Sequence, residues 1–284
     1  AYSLSVSPVF ASTLGDRGNN DRLGDATIVS IEKHKAQLQS FIARAKRIDT
    51  TTTLDRINQS IFTRLLNDEL QEIEFDTHLI PITNRWGFHV SFVELPNRHV
   101  FESVYDYRDY IARLKDYGRY NAENIGLMRE GIKRGMVLPA VVLEGYNDTI
   151  EPHIVENPVD SLLYAPFNDF NVELSEEDQR ELRIEAQNAI KNSVVPAFKT
   201  FLEFMDEEYL PACSGSIAAS TLPNGRAYYR YRVKHYTTLD LTPEQVHETG
   251  KVEVERIFKE MAEIQETVDF QGSRDEFVAM LRSD

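Results

Sequence analysis

The stretch LPNGRAYYRYRVKHYTTLDLTPEQVHETG, residues 222–250, decides how the whole chain is read. From Tyr229 to Lys234 it alternates aromatic or apolar residues with cations, a pattern that a strand would share. Its flanks favour helix. Leu222-Pro-Asn-Gly is a turn signal, and Thr242-Pro-Glu-Gln is a helix start. There Thr242 serves as N-cap, Pro243 takes the first helical position, and Gln245 closes a capping box. Beyond it Val246, Gly250, Val254, Ile257, Met261, Ile264 and Val268 step by fours and threes, the period of one helix face. A segment held between such a turn and such a start reads as helix.

Working outward, the same signals recur. Ser175-Glu-Glu-Asp opens what reads as the longest helix, running toward Tyr209, kinked at Pro196 and stopped by Pro211. Ser103, with Asp106 three residues on, caps a helix whose buried stripe is Tyr107, Tyr110, Ile111, Leu114 and Tyr117. A break is expected near Gly118, after which Ile125, Met128 and Ile132 continue the stripe to Gly135. Pro139 is expected to begin a helix reaching about Glu156, followed by a long connection from Pro158 to Asn171. Nearer the start, residues 26–48 and 53–75 read as an antiparallel helical pair. Ile31, Leu38, Phe41, Ile42 and Ala45 share a face in the first; Leu54, Ile57, Ile61, Leu65 and Ile73 recur in the second. His78 to His99, broken by Pro81, Gly87 and Pro96, reads as a crossover loop with one short strand at most, over Phe88 to Val93. A short helix over Asp275 to Leu281 closes the chain. The fold expected is all-α: one irregular multi-helical body over residues 1–284, with about eight or nine helices and little or no β.

Composition narrows the function classes. The 284 residues are 42 % hydrophobic and 27 % charged, an ordinary globular balance long enough for a large core. A formal net charge of -15 argues against nucleic acid, because phosphate binding needs a cationic footprint. No apolar run is long enough for a transmembrane helix. A lone cysteine, Cys213, excludes an internal disulfide and a thiolate metal cluster. The chain opens on Ala1 with no basic-then-apolar leader, which reads as a mature or engineered start.

Familiar catalytic patterns are missing. There is no phosphate-binding glycine loop, no G-x-S-x-G elbow, and no base beside Cys213. His247-Glu248 resembles the start of a zinc-protease helix, but the position four after His247 is Lys251, a cation where a ligand belongs. The other histidines (His34, His78, His89, His99, His153 and His235) never pair at ligand spacing within one helix, though His89, His99 and an acid could meet across elements. What stands out is the cationic island in an acidic protein: Arg226, Arg230, Arg232 and Lys234 among Tyr228, Tyr229, Tyr231, Tyr236 and His235. As a functional surface it would grip carboxylates through arginine and line an amphipathic pocket with tyrosine. As plain structure its cations would pair with acidic helices, and Tyr229, Val233 and Tyr236 would pack as one helical face.

The chain also resembles a known family. Pro8-Val-Phe-Ala-Ser-Thr-Leu-Gly15-Asp16, then Asn20-Asp21-Arg22-Leu23, is similar to the amino-terminal signature of the bacterial family called domain of unknown function 885, with Ser12 where Thr is more usual. Met128-Arg-Glu-Gly-Ile-Lys-Arg-Gly135 and Val195-Pro-Ala-Phe198 resemble its middle, with Phe198 where Tyr is commoner. The closest correspondence lies in Leu222-Pro-Asn-Gly225, Tyr228-Tyr229, Thr237-Thr238, Thr242-Pro243, Val246-His247, Gly250, Glu253-Val254 and Arg256-Ile257.

The family is zincin-like, and its members are often described as lipoproteins. They run to about twice this length, with a His-Glu and Pro-Gly-His-His zinc motif in the carboxy-terminal half. The resemblance therefore implies an amino-terminal half with no cofactor of its own and with zinc in a carboxy-terminal half that would be its partner. It implies the bacterial envelope or periplasm, with a lipid anchor on a residue preceding Ala1. On this reading the chain walls a cleft for a peptide substrate, and Tyr229, Arg230, Arg232, His235 and His247 are the candidate substrate-binding residues. It would hydrolyse nothing by itself. The alternative is a non-enzymatic helical binding or scaffold protein of the envelope.

Overall fold

The computed structural model of the chain describes residues 2–83 and 85–283. Among them are thirteen α-helices and no strand, with two isolated β-bridges, Ile82 to Gly87 and Pro139 to Ser214. The helices are α1 (Tyr2–Val6), α2 (Pro8–Thr13), α3 (Ile28–Ala45), α4 (Thr53–Glu74), α5 (Phe88–Val93), α6 (Leu95–Arg98) and α7 (Val104–Arg134). They continue with α8 (Glu176–Ala189), α9 (Val195–Phe204), α10 (Leu210–Ala212), α11 (Gly225–Thr237), α12 (Pro243–Thr267) and α13 (Arg274–Ser283). Eight of them have ten residues or more, so the all-α expectation holds. The chain divides into two compact units, Ala1–Pro223 and Asn224–Asp284.

The first unit is built on α7. Ser103 caps it, accepting from the Asp106 amide at 3.4 Å, while the Asp106 carboxylate accepts from Glu102 N and Ser103 Oγ. The expected stripe is buried, with Tyr107, Tyr110, Leu114 and Tyr117 fully inside. The break expected near Gly118 is absent, and α7 runs through it. Ser193 meets the helix at that point: its Oγ accepts from Gly118 N at 3.3 Å and donates to Lys115 O at 2.8 Å. Ser193 belongs to the helical rod that packs along α7.

That rod joins α8, α9 and α10 through two π-helical turns, Ile190–Val194 and Met205–Tyr209. Each wide turn ends two residues before a proline, Pro196 or Pro211. Proline has no N–H to give the turn before it, and its ring presses on the carbonyl four residues back. A widened turn relieves both. It also corrects a drift of the buried face. Ala186, Ile190, Val194 and Phe198 are all buried and follow one another by fours. In a regular α-helix each such step overshoots a full turn by roughly 40°. The extra residue of a π turn returns them to one line, so the expected kink at Pro196 takes the form of a π turn.

Two segments differ from the sequence reading. Phe88 to Val93 is helix α5, because Phe88 and Phe92, four apart, fall on one buried face. Pro139 begins no α-helix: Ala140–Leu143, Tyr146–Thr149 and Glu151–His153 are 3₁₀ turns. Gly145, at φ 75°, and Pro152 interrupt any longer helix.

The antiparallel pair α3 and α4 forms, packed on Leu38, Ile42 and Leu66 with Phe41, Leu70 and Ile73 around them. The stripe read from sequence on α4 faces outward instead. Leu54, Ile57, Ile61 and Leu65 stand 49 to 65 % exposed.

In the second unit, Asn224 adopts a left-handed conformation at φ 55° and turns the chain into α11. The capping box at α12 is present on both sides: Gln245 N donates to Thr242 Oγ1 at 3.2 Å, and Thr242 N to Gln245 Oε1 at 2.8 Å. Such a cap stabilises a helix start by about 1 kcal/mol. α13 closes the unit with Phe277, buried against Phe270.

Candidate functional site

α11 carries the cationic island as a helix with two occupied flanks. Tyr228, Arg232 and Tyr236 repeat every fourth residue. The Arg232 guanidinium lies over Tyr228 at 5.9 Å and Tyr236 at 4.7 Å, and its Nη2 donates to Tyr236 Oη at 2.5 Å. Tyr231 and His235 pair one step round at 5.9 Å, with His235 also edge-on to Tyr236 at 5.0 Å. Lys234 pairs with Asp240 at 3.7 Å. Arg230 is exposed, and its charge helps hold the Glu244 carboxyl below its usual range, behind the larger effect of a hydrogen bond from the backbone at the start of α12.

The packing expected of Tyr229 and Tyr236 is not found: they stand 49 and 72 % exposed. The island is thus a surface of stacked cations and rings. Thr238 closes α11 at φ 62°, a left-handed conformation that a β-branched side chain strains to adopt. Strain of this kind concentrates at functional surfaces.

The structure brings Arg232, His235, Tyr228, Tyr231 and Tyr236 together on α11, and leaves Tyr229 and Arg230 exposed on the same helix. His247 is exposed on the second turn of α12. Its neighbour Glu248 is engaged by Lys251, the residue that spoils the zinc motif, at 3.1 Å. His89 and His99 have separate partners: His89 bonds Thr149, and His99 bonds Arg113 and Asp106. Among the described residues no three His, Cys, Asp or Glu side chains are placed to hold a metal.

Sequence reasoning passed over the most deeply buried charged side chain of the first unit. Arg113 is fully buried and has no carboxylate within ion-pair distance among the described residues. It donates instead to Pro8 O (3.1 Å), Asn19 O (3.1 Å), Arg22 O (3.0 Å), Ser12 Oγ (2.7 Å) and His99 Nδ1 (3.0 Å). Ser12 Oγ in turn donates to Asn20 Oδ1 at 2.5 Å. Burial brings the Arg113 pKa down to about 10, against the upward pull of Asp109 and Asp21. The amino-terminal signature residues Pro8, Ser12, Asn20 and Arg22 therefore converge on one guanidinium that ties the segment to α7. A signal was available: Arg113 sits three residues after Tyr110 and four before Tyr117, on the buried stripe.

Other residues that carry the resemblance have structural tasks too. A Cβ on Gly131 would come within 2.7 Å of Met136 O and 2.9 Å of Leu79 O, so only glycine lets α7 approach both carbonyls. Gly135 ends α7 at φ 74°, the left-handed helix stop. Asn224 and Thr242 serve as described above.

The sequence matches, over residues 8–284, the profile of a family described as bacterial protein of unknown function (DUF885). Among solved structures it is similar to "the putative lipoprotein from Colwellia psychrerythraea". The TM-score is 0.86 at 18 % identity, covering 99 % of this chain and 52 % of that one. The chain spans about half the length of that protein, and at this identity the likeness is one of fold. No curated protein matches it. On the match across residues 8–284, the chain belongs to the bacterial family of unknown function DUF885.

Proposed function

We propose that this chain is the helical amino-terminal half of a larger zincin-like protein of the bacterial envelope, and that it walls one side of a peptide-binding cleft. The observation that carries the reading is α12. Its twenty-five residues include no buried side chain. Yet Val246, Val254, Ile257, Ile264 and Val268 form one apolar stripe, 36 to 56 % exposed. Helices in proteins gain most of their stability by packing such a face, and a large apolar face left in water marks a surface made to be covered. α4 presents a second stripe of the same kind. On this reading the cover comes from a region equivalent to the part of the similar solved structure that this chain, spanning 52 % of it, does not match. The description of that relative as a lipoprotein supports the envelope, and the resemblance supports zinc in the other half.

The described residues do not fit a zinc ion, so no hydrolytic step is assigned to them. Their contribution is recognition. Arg230 and Arg232 offer planar donors suited to a peptide carboxylate. Tyr229 provides an amphipathic wall beside them, with His235 and His247 as further donors or acceptors.

Zinc content and peptidase activity, measured for the intact protein and for residues 1–284, test the division. Zinc and activity confined to the intact protein support it, and either one in residues 1–284 alone refutes it. An intact protein without zinc favours the alternative of a helical envelope scaffold. Arg230→Ala with Arg232→Ala should raise KM for peptides with kcat little changed; unchanged KM removes the grip.

A further inference from the structure

The α3–α4 hairpin carries a second concentration of positive charge in this acidic protein. Between Glu32 and Asp49 the sequence holds Lys33, Lys35, Arg44, Lys46 and Arg47 and no acid. Arg44, Lys46 and Arg47 crowd the turn end, all exposed, and none is ion-paired among the described residues. Arg64, farther along α4, pairs with Asp68 at 3.6 Å, whereas Arg44 rests on the Phe41 ring, 5.8 Å from its centroid. The fold gives these three cations no task. Near a helix C-terminus a cation often serves the free carbonyls. Here Gln59 occupies them: its Nε2 donates to Ala45 O at 2.7 Å and to Ile48 O at 2.8 Å. The start of α4 is closed by its own capping box, Thr52 with Asp55.

Apolar side chains stand exposed beside the cations. Ile48 is 63 % and Phe62 50 % exposed. Both line two open clefts, of about 520 and 470 Å³, and charge divides the two. Phe41, Arg44 and Arg47 wall the first, with no acid, while Asp49 and Asp55 line the second. Phe62 lies about 100° round α4 from Ile61, so the first cleft is separate from the outward stripe of Leu54, Ile57, Ile61 and Leu65. After Asp55 the next acid on α4 is Asp68, thirteen residues on. That is about 20 Å along the axis. Charges so far apart are largely screened at physiological salt, where the Debye length is about 8 Å.

We propose that the turn end of this hairpin docks on an anionic lipid bilayer surface, with Arg44, Lys46 and Arg47 among the headgroups and Ile48 and Phe62 entering the layer beneath them. Charge complementarity selects this occupant together with the apolar pair. A bilayer interface accepts both kinds of side chain at once, whereas a soluble polyanion would use the cations and leave Ile48 and Phe62 in water. Cations without fixed partners also suit a diffuse layer of mobile phosphates better than a shaped protein surface. The contact lies on other elements than α11 and depends on neither zinc nor peptide binding.

Flotation of the chain with vesicles tests it, using phosphatidylcholine alone or mixed in equal parts with phosphatidylglycerol. Binding is expected on the mixed vesicles only, and should weaken as sodium chloride is raised. Arg44→Gln with Arg47→Gln should lower the affinity about 25-fold, roughly fivefold for each cation. Arg226→Gln with Lys234→Gln, on α11, should leave it unchanged. Trp86 is the single tryptophan, so Ile48→Trp in a Trp86→Phe background reports on the tip alone. Its emission should shift to shorter wavelength on the mixed vesicles. Thermal unfolding checks that each variant folds. Equal binding to both kinds of vesicle, or to neither, overturns the proposal, as does an unchanged affinity in the Arg44 and Arg47 variant. Capture by polyglutamate as tight as by the mixed vesicles, with the Ile48→Trp emission unshifted, would mark a surface for acidic protein and overturn it too.

Discussion

Arg113 donates to His99 Nδ1 at 3.0 Å, and His99 Nε2 donates to Asp106 O at 2.8 Å on the opposite side of the ring. The two bonds admit one protonation state. Nδ1 must be a bare acceptor and Nε2 must carry the proton, so His99 is neutral by construction. Burial is the main cause of its depressed pKa of about 4, with the Arg113 charge acting in the same direction.

The pH dependence follows from that shift. An unfolded His titrates near 6.5, so the unfolded chain binds the proton first as the solution is acidified. The contribution of His99 to stability is complete above about pH 6.5 and is lost as pH falls toward 4. The full loss is about 3 kcal/mol. Urea midpoints at pH 7, 5.5 and 4.5 should fall in that order, and less steeply in His99→Gln. NMR titration of the His99 ring giving a value near 6.5 would contradict the account.

Arg113→Met removes five donated bonds and leaves the carbonyls of Pro8, Asn19 and Arg22 facing an apolar side chain. A loss of about 3–5 kcal/mol is expected. Limited proteolysis should then cut within residues 7–23 before anywhere else in the first unit. Arg113→Lys keeps the charge but not the planar fork, and should lie between the two.

Gly131→Ala tests the close approach of α7. The added methyl would meet two backbone oxygens, Met136 O and Leu79 O, which cannot rotate away. Destabilisation of about 1–3 kcal/mol is expected despite alanine's better helix propensity. A gain in thermal midpoint would mean that the segments part without cost.

Thr238→Gly should have the opposite sign. Its left-handed φ of 62° suits glycine at a helix end, so relief of strain should stabilise α11 by about 1 kcal/mol. Slower amide exchange in the last turn of α11 is the readout; faster exchange would refute it.

The exposed stripes predict a dependence on context. Ile57→Lys and Ile257→Lys should change the stability of residues 1–284 by no more than about 0.5 kcal/mol, as surface substitutions do. In the intact protein, where the reading above has them covered, each should cost about 1–3 kcal/mol. Equal, negligible effects in both settings would leave these faces without a partner.

These stripes also mark the limit of what the sequence discloses. Local chemistry was legible: Ser103, Ser175, Thr242 and Gln245 cap where their side chains direct, because a cap depends on residues three apart. Periodicity located α4 and α12, but a period says only that a face is apolar and not what covers it. Leu66 supplies the buried contact of α4, while Leu54, Ile57, Ile61 and Leu65 face outward. The segment from Pro139 to Glu156 reads as helix because Pro139 resembles a helix start, whereas Gly145 and Pro152 limit it to 3₁₀ turns. At the candidate surface, the cations and tyrosines of α11 were visible as composition. The stacking of Arg232 between Tyr228 and Tyr236 follows from the four-residue spacing only once helix is chosen over strand. Arg113 was hidden for a different reason. Its partners are mostly backbone carbonyls some ninety residues distant, and carbonyls leave no mark in a sequence.

The two π turns of the rod have a consequence for chain length. Each adds a residue that a regular α-helix of the same reach would not need, so the rod contains two positions where the polypeptide can be shortened by one without turning a buried face outward. Deleting Asn192 should convert the first π turn to α and keep Phe198 and Phe201 inside. Deleting a residue from the middle of α8 should instead rotate everything beyond it by roughly 100° and unfold the unit. Relatives are therefore expected to differ in length by single residues at Ile190–Val194 and Met205–Tyr209, and to keep their length inside the helices between.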